Sequence, residues 1–283
     1  MDNRPDVLKW HDPIELELVR VPAGSFLMGS HPRTDPLANE LANEDEFPQC
    51  LVSLPEFYIG KYHITNHQWA MYLLDTVGKD VNETNSHWET YRLAAKGDFS
   101  VATGKAVHPV VYVTWFAAVR FCHWLSEKSG ARVMLPSEAE WERAARGTHG
   151  HIYPWGNQLP QHDLSNYGRR IGTTTPVGFY SPYGDSPCGC ADMAGNASDW
   201  TRTLWDSDDG ERYRYPYNPD DGRETMHLER DTFCREMVFR GGDYGSGPIK
   251  PKGVWGLRCA ARNHWPADQT DDFVSFRIVV HAK

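Results

Sequence analysis

The alternation of apolar and polar residues in the first sixty positions predicts short strands. Between Ile14 and Leu18 apolar side chains alternate with glutamates, as in a half-buried strand, and Gly24 and Gly29 mark the turns of a hairpin. The polar run 31–46 favours a loop, and the stretch PQCLVSLPEFYIGKY that follows it predicts two more strands. We therefore expect a small sheet in the N-terminal part of the chain.

Two helix starts are marked by capping boxes. In each box a hydroxyl side chain and a Gln or Glu three residues later bond to each other's backbone N–H groups. Thr65 with Gln68 forms the first box, and Ser137 with Glu140 forms the second, whose helix is expected to stop at Gly147.

The rest of the chain has few regular elements. Helical spacing of apolar residues predicts a helix from Trp115 to about Lys128, with Gly130 as its stop. The acidic, Tyr-rich segment 206–223 is interpreted as a surface insertion, and EMVFR and VSFRIVV as closing strands. With neither an internal repeat nor a convincing linker, residues 1–283 are expected to form one α+β domain with much ordered loop.

Composition and charge exclude several classes of partner. The net charge is −9, and no basic block is present, so we expect no nucleic-acid partner. No apolar stretch approaches the roughly 18 residues that span a bilayer, and the N-terminus has no signal-peptide pattern. Six cysteines in 283 residues are too sparse for a disulfide scaffold. The expectation is a cytoplasmic protein with no membrane partner.

Several separated motifs resemble, in the same order, those of the formylglycine-generating enzyme, or sulfatase-modifying factor, family. They are GSFLMGS, EFYIGKYHITNHQWAMYL, HPVVYVTWFAAVRFCHWL, LPSEAEWERAARG, YPWGN, DMAGNASDWT, FRGGDYGSG, RCAAR and SFRIVV. The resemblance runs from about Glu15 to Val280. It implies a fold related to C-type lectins, with few short strands and helices.

The resemblance breaks at the residues that perform the oxidase chemistry. Members of the family that are oxidases resemble one another in two cysteines that bind monovalent copper, for which soft thiolates are suitable ligands. Here the first of these positions is Ser246, the second falls near Val254, and an upstream serine position is Asp243. No copper is therefore expected, and a non-catalytic protein is favoured. The alternative is an enzyme with a non-standard site, in which Asp243 and His264 act as acid and base.

Other cysteine and histidine patterns are weak signals of a metal site. Cys188 and Cys190 form an isolated C-x-C pair, more typical of buried or loop thiols. Cys259 matches a family cysteine whose partner position is Ala145 here. His63 and His67 are four residues apart, but a helix starts between them. We interpret both as structural or surface histidines.

The family resemblance also implies a structural calcium ion in DMAGNASDW. The matching positions are Asp192, Gly195, Ala197 and Asp199, which offer hard oxygen ligands. A second interpretation is that Asp192 caps a turn and Asp199 pairs with an arginine. A second calcium loop would begin near Asn166, but the segment that follows is shorter than usual in the family.

A narrower resemblance concerns the C-terminal region, about 240–277. It is similar to the variable region of target proteins of diversity-generating retroelements, which implies binding of a protein or other macromolecular ligand. Rigid aromatic and short polar side chains suit such binding. The candidate ligand-contacting residues are Asp243, Tyr244, Ser246, Trp255, Asn263, His264, Trp265, Asp271 and Asp272. Alternatively, Trp255 and Trp265 are core residues, or the domain recognises a peptide without being diversified.

Overall fold

The computed structural model describes residues 6–33, 35, 44–76, 104–207, 210–226, 228, 235–247 and 254–281. Its strands are β1 (Val7–Trp10), β2 (Leu16–Val21), β3 (Gly24–Met28), β4 (Cys50–Leu54), β5 (Phe57–Gly60), β6 (Val133–Met134), β7 (Ser198–Leu204), β8 (Glu236–Arg240), β9 (Asn263–Pro266), β10 (Val274–Phe276) and β11 (Val279–His281). Its α-helices are α1 (Asn66–Thr76), α2 (Trp115–Ser129) and α3 (Glu138–Arg146). Short 3-10 helices cover Glu44–Glu46 and Trp255–Leu257.

The strands form three sheets. One has five strands in the order β1-β2-β5-β11-β6, one has four in the order β10-β7-β8-β9, and β3 pairs with β4. Among the described strands, β10 and β7 run parallel, and the other pairs are antiparallel. The few short helices and several small sheets confirm the α+β class predicted from the sequence.

The predicted helix signals operate as expected. Thr65 N donates to Gln68 Oε1 at 2.8 Å, and Gln68 N donates to Thr65 Oγ1 at 3.3 Å, so the first capping box is formed. Ser137 and Glu140 form the second box. Helix α2 ends at Gly130, which has a left-handed conformation with φ 69°. No helix in the described part of the chain combines the length and apolar character that a membrane span requires.

Aromatic side chains fill the main core between α1, α2 and the four-stranded sheet. Trp69 stacks on Phe121 with ring centroids 5.8 Å apart, and both rings meet the edge or face of Phe276 on β10. Trp200 on β7 and Phe239 on β8 extend the same cluster. This packing fixes the sheet from which the C-terminal loops project.

The sequence prediction of a hairpin between Gly24 and Gly29 is wrong. Strand β2 pairs with β1 and β5, whereas β3 pairs with β4, across the long segment that separates them. The closing stretch VSFRIVV is also two strands rather than one, since β10 joins the four-stranded sheet and β11 the five-stranded sheet. Arg277 lies between them and is fully buried.

The segment 206–223 is not simply a surface insertion. Tyr215 and Tyr217 are buried at 5% and 8% exposure, and Arg223 at 2%. Tyr215 packs with the β3–β4 sheet, and the Arg223 guanidinium lies over the Tyr213 and Tyr217 rings. Local polarity misled the prediction because polar groups of this segment find partners inside the protein: the Tyr217 hydroxyl donates to Glu224 Oε1 at 2.6 Å, and Arg223 Nη2 donates to Arg214 O at 3.0 Å.

Candidate ligand-binding surface

Four buried arginines anchor the C-terminal region to the rest of the chain. The pairs are Arg240 with Glu142, Arg258 with Glu46, Arg262 with Glu138, and Arg277 with Asp199. Each of these eight side chains is at most 1% exposed. A buried carboxylate requires such a partner, because removing one member leaves an uncompensated charge. The loops between the arginines therefore have fixed ends.

The loop 241–247 begins where β8 ends and is shaped by its own side chains. Gly241 and Gly242 have positive φ angles of 97° and 63°, which glycine adopts without strain. Asp243 Oδ1 accepts hydrogen bonds from the backbone N–H groups of Gly245 (2.5 Å) and Ser246 (3.0 Å). Burial nevertheless raises the pKa of Asp243, outweighing these bonds. Asp243 thus holds the turn in place.

Tyr244 links this loop to the segment before β10. Its hydroxyl donates to Asp272 Oδ2, its backbone N–H donates to Asn196 O at 3.1 Å, and its carbonyl accepts from Arg169 N at 2.7 Å. Burial and the neighbouring Asp272 carboxylate raise the pKa of Tyr244. Tyr244 is only 8% exposed, so its main contribution to the surface is to position the Asp272 carboxylate.

The loop 241–247 packs closely on the backbone of Gly256, because a Cβ on Gly242 would lie 2.9 Å from Gly256 O. A Cβ on Gly256 would lie 3.6 Å from Ser246 Oγ, which places the 3-10 helix Trp255–Leu257 beside the loop. Trp255 is half-buried, and its Nε1 donates to Glu46 Oε1 at 2.8 Å. Val254 packs in an apolar cluster with Leu257. Ser246 and Val254, at or near the positions that match the copper cysteines, therefore lie beside one short helix, and neither side chain carries a sulfur atom.

Strand β9 divides its candidate residues between two faces. Trp265 points to the core side. Its ring meets those of Phe239 and Phe273 edge to face, with centroid distances of 6.5 Å to Phe239 and 5.6 Å to Phe273. Asn263 is on the same face because strand residues alternate. His264, on the other face, stacks on Trp205 at 4.2 Å, and its Nδ1 bonds to Glu236.

These contacts separate the candidate residues into groups. Asp243, Tyr244, Ser246, Asp271 and Asp272 come together through the loop and the Tyr244–Asp272 bond. Trp255 adjoins them, whereas Trp265 belongs largely to the core and His264 to a separate half-exposed cluster. The acid–base role suggested for Asp243 and His264 has no support in the structure, because each is bonded to different partners.

Each described cysteine lies in or against an apolar cluster of the protein. Cys190 and Cys259 are buried in an apolar cluster that includes Trp141 and Ala145, and burial raises the pKa of each thiol to about 12. Burial also raises the pKa of Cys188, which packs against the same cluster. Thiols in this state are not available as thiolates near neutral pH. Cys234 lies outside the described residues.

The residues matched to a calcium site make protein contacts instead. Asp192 Oδ2 accepts from Gly178 N at 2.7 Å, and Asp199 Oδ2 accepts from Trp141 Nε1 and Arg277 Nε at 2.8 and 2.7 Å. These are the contacts of the second interpretation, a capped turn and an arginine pair. Burial, without an equally strong opposing charge, raises the pKa of Asp192 to about 6.

The remaining matched positions are also engaged. Ala197 O accepts a hydrogen bond from His63 Nε2 at 2.9 Å, and Gly195 packs so closely that a Cβ would lie 2.3 Å from Ser165 Oγ. Burial lowers the pKa of His63 to about 4, so the ring is neutral, as expected of a structural histidine. Within the described residues no group of three or more His, Cys, Asp or Glu side chains is arranged to hold a metal ion. This arrangement does not fit a calcium ion, and calcium binding stays a prediction from the resemblance.

Sequence reasoning missed one residue of this surface, Tyr112. Its backbone N–H donates to Asp271 O at 2.9 Å, and its side chain is 42% exposed. It lies in the sequence more than a hundred residues before the region about 240–277, so no local pattern connects the two.

Known proteins share this architecture. The family model described as "Sulfatase-modifying factor enzyme 1-like domain" matches residues 11–282. The formylglycine-generating enzyme of Thermomonospora curvata is 29% identical over 236 residues, which are 68% of this chain and 72% of that protein. The serine/threonine-protein kinase Pkn1 of Chlamydia trachomatis is 32% identical over 203 residues. That match covers 69% of this chain but only 29% of the kinase.

Two solved structures have the same fold. PvdO from Pseudomonas aeruginosa has a TM-score of 0.72 at 24% identity, and Treponema denticola variable protein 1 has a TM-score of 0.67 at 18% identity. Each comparison covers 99% of this chain and 100% of the other. These likenesses confirm the fold, and the family model confirms the resemblance found in the sequence motifs: the chain belongs to the formylglycine-generating enzyme, or sulfatase-modifying factor, family.

Proposed function

We propose that this protein binds a protein or other macromolecular ligand without catalysis, through the surface formed by the loop 241–247, the helix Trp255–Leu257 and Asp271–Asp272. We propose further that it is a variable protein of a diversity-generating retroelement. The observation that carries the first statement is chemical: the first copper-cysteine position is Ser246, the second falls near Val254, and burial raises the pKa of every described thiol.

The anchoring of the surface supports a recognition role. Its loops are held by the buried arginine pairs, by the turn of Asp243 and by the Tyr244–Asp272 bond. A surface that is ordered before binding loses less conformational entropy when a partner docks. Half-exposed polar groups such as Ser246 and Asp271 can supply specific hydrogen bonds to a ligand.

The similarity to Treponema denticola variable protein 1 is a likeness of fold, and it supports the retroelement proposal only in that sense. The proposal has a direct genomic test. A near-repeat of the coding sequence for residues 240–277, differing at adenines and adjacent to a reverse transcriptase gene, is expected. Finding neither would refute the retroelement assignment and leave the binding proposal standing.

Binding itself is tested by selection from a displayed library of random peptides on the purified protein. The double variant combines Ser246→Trp, which adds bulk, with Asp271→Asn, which removes a charge. We expect the selected peptides to bind it at least about tenfold more weakly than the wild type. The matched control is Tyr183→Ala, because Tyr183 is 77% exposed and belongs to a different loop. Peptides that bind the double variant as well as the wild type would refute this surface as the site.

An oxidase with a non-standard site is the second candidate, favoured by the similarity to a protein named formylglycine-generating enzyme. It predicts oxygen consumption with a cysteine-containing peptide. The binding proposal predicts none.

A further inference from the structure

We infer that Tyr112 is a ligand-contacting residue of this surface, and that it takes a cationic group, such as a lysine or arginine side chain of the partner. The inference rests on the proposed function and names the partner chemistry of the same surface. Tyr112 lies outside the region about 240–277, so it would be a constant contact beside the residues expected to vary.

Tyr112 is held rigidly although its ring is exposed. Its backbone N–H donates to Asp271 O at 2.9 Å, and nearby Val110 N donates to Ile64 O at 2.8 Å. Thr114 caps helix α2 through a 3.1 Å bond from Ala117 N. The backbone of Tyr112 is therefore held on both sides, while the residue is 42% exposed. A rigid exposed tyrosine provides contact area at low entropic cost.

The surroundings of the ring select the charge of the ligand. Asp272 and Asp271 both lie close enough to raise the pKa of Tyr112, after the larger effect of burial. Two hydrogen bonds hold Asp272: its carboxylate accepts from the Tyr244 hydroxyl, and its backbone N–H donates to Asp271 Oδ1 at 2.7 Å. A cation over the tyrosine face would be attracted by the ring and by both carboxylates.

One positive group is also nearby. Arg169 is exposed, and its backbone N–H is bonded to Tyr244 O, on the Gly245 side of the loop. Among the described ion pairs none joins Arg169 to Asp271 or Asp272. The two carboxylates therefore keep their charge available to a ligand, whereas an acidic ligand would meet them unfavourably.

The test measures binding of a tetra-arginine peptide amide by titration calorimetry at physiological ionic strength, with a tetra-glutamate peptide as the opposite charge. Tyr112→Ala and Asp272→Asn are each expected to weaken tetra-arginine binding by roughly 3- to 10-fold, and Tyr112→Phe, which keeps the ring, by less than about 2-fold. The matched control is Asp268→Asn, which removes the same charge at an exposed position nearby.

General attraction to an acidic protein would give a different result. The chain carries a net charge of −9, so a peptide that binds nonspecifically would respond equally to Asp272→Asn and Asp268→Asn and would ignore Tyr112→Ala. That result, or preference for tetra-glutamate, overturns the inference. If library peptides still depend on Ser246 and Asp271 while none depends on Tyr112, the inference fails and the proposed function survives. Asp272→Asn keeps the test decisive if Tyr112→Ala does not fold.

Discussion

Arg277 and Asp199 form a buried ion pair that ties the junction of the two closing strands to strand β7. Arg277 Nε donates to Asp199 Oδ2 at 2.7 Å, with the side chains 0% and 1% exposed. Arg277 Nη1 also donates to the carbonyl of Gly60 at 3.1 Å, on the five-stranded sheet. One guanidinium therefore connects both large sheets, and it lies at the end of the candidate ligand-binding region.

Breaking this pair is expected to destabilise the fold strongly. Asp199→Asn leaves Arg277 buried without a counter-charge and should reduce the free energy of unfolding by about 3–5 kcal/mol. Urea denaturation measures the change. The control is Lys128→Ala, which breaks a pair whose side chains are 39% and 38% exposed and should cost less than about 1 kcal/mol. Equal losses in the two variants would contradict the anchoring role.

Glu140 is expected to make stability depend on acid pH. Burial opposes its charge, but Arg202 and His281 outweigh burial and lower the pKa of Glu140 to about 2, from 4.5. A depressed pKa stabilises the folded state above pH 4.5, and that contribution is lost as the pH falls from 4.5 to about 2. It amounts to about 3 kcal/mol.

Unfolding of Glu140→Gln as a function of pH measures this contribution. The variant should be less stable than the wild type at pH 7, and the difference should shrink as the pH falls through that window. Glu211→Gln, at an exposed position, is the control and should follow the wild type. A difference that stays constant with pH would show that Glu140 acts through packing instead.

Gly247 allows two backbone segments of the candidate surface to touch. A Cβ there would lie 2.2 Å from Gly168 Cα and 2.9 Å from Gly168 N. Both are backbone atoms, so the clash cannot be relieved by the rotation of a side chain. Gly247→Ala should lower stability by about 1–3 kcal/mol. Gly256→Ala is the matched control, because its Cβ would meet neighbours only at 3.6 Å or more. A thermal melt in which both variants match the wild type would contradict the close packing of the loop on Gly168.

Calcium is expected to leave the stability unchanged. Asp199 Oδ2 already accepts from Trp141 and Arg277, and Ala197 O accepts from His63, so a calcium ion that used these two oxygens would compete with protein contacts. Differential scanning fluorimetry in millimolar calcium and in chelator should give the same melting temperature. A calcium-dependent rise that Asp192→Ala abolishes would support the calcium site implied by the family resemblance.

Local signals in the sequence predicted local structure well. The boxes at Thr65 and Ser137 and the stop at Gly130 were predictable because their partners lie within four residues. The absence of a thiol at Ser246 was also predictable, because it follows from the identity of that residue alone. The family and the α+β fold followed from ordered motifs along nearly the whole chain.

Contacts between distant segments could not be predicted. No sequence pattern indicates that Arg262 pairs with Glu138, 124 residues away, or that Tyr244 is covered and bonded to Asp272. The same limit explains why Tyr112 was missed. The burial of Tyr215 in segment 206–223 was missed because it packs with Phe26 and Val52, on the distant strands β3 and β4.

The proposed binding function requires that this protein has no copper chemistry, and copper binding can be measured directly. Purified protein is titrated with Cu(I) against a competing chelator, and oxygen uptake is then followed with a cysteine-containing peptide. We predict no stoichiometric copper uptake and no oxygen consumption above a protein-free control, because Ser246 and Val254 offer no soft ligand. One equivalent of tightly bound copper together with peptide-dependent oxygen consumption would contradict the account.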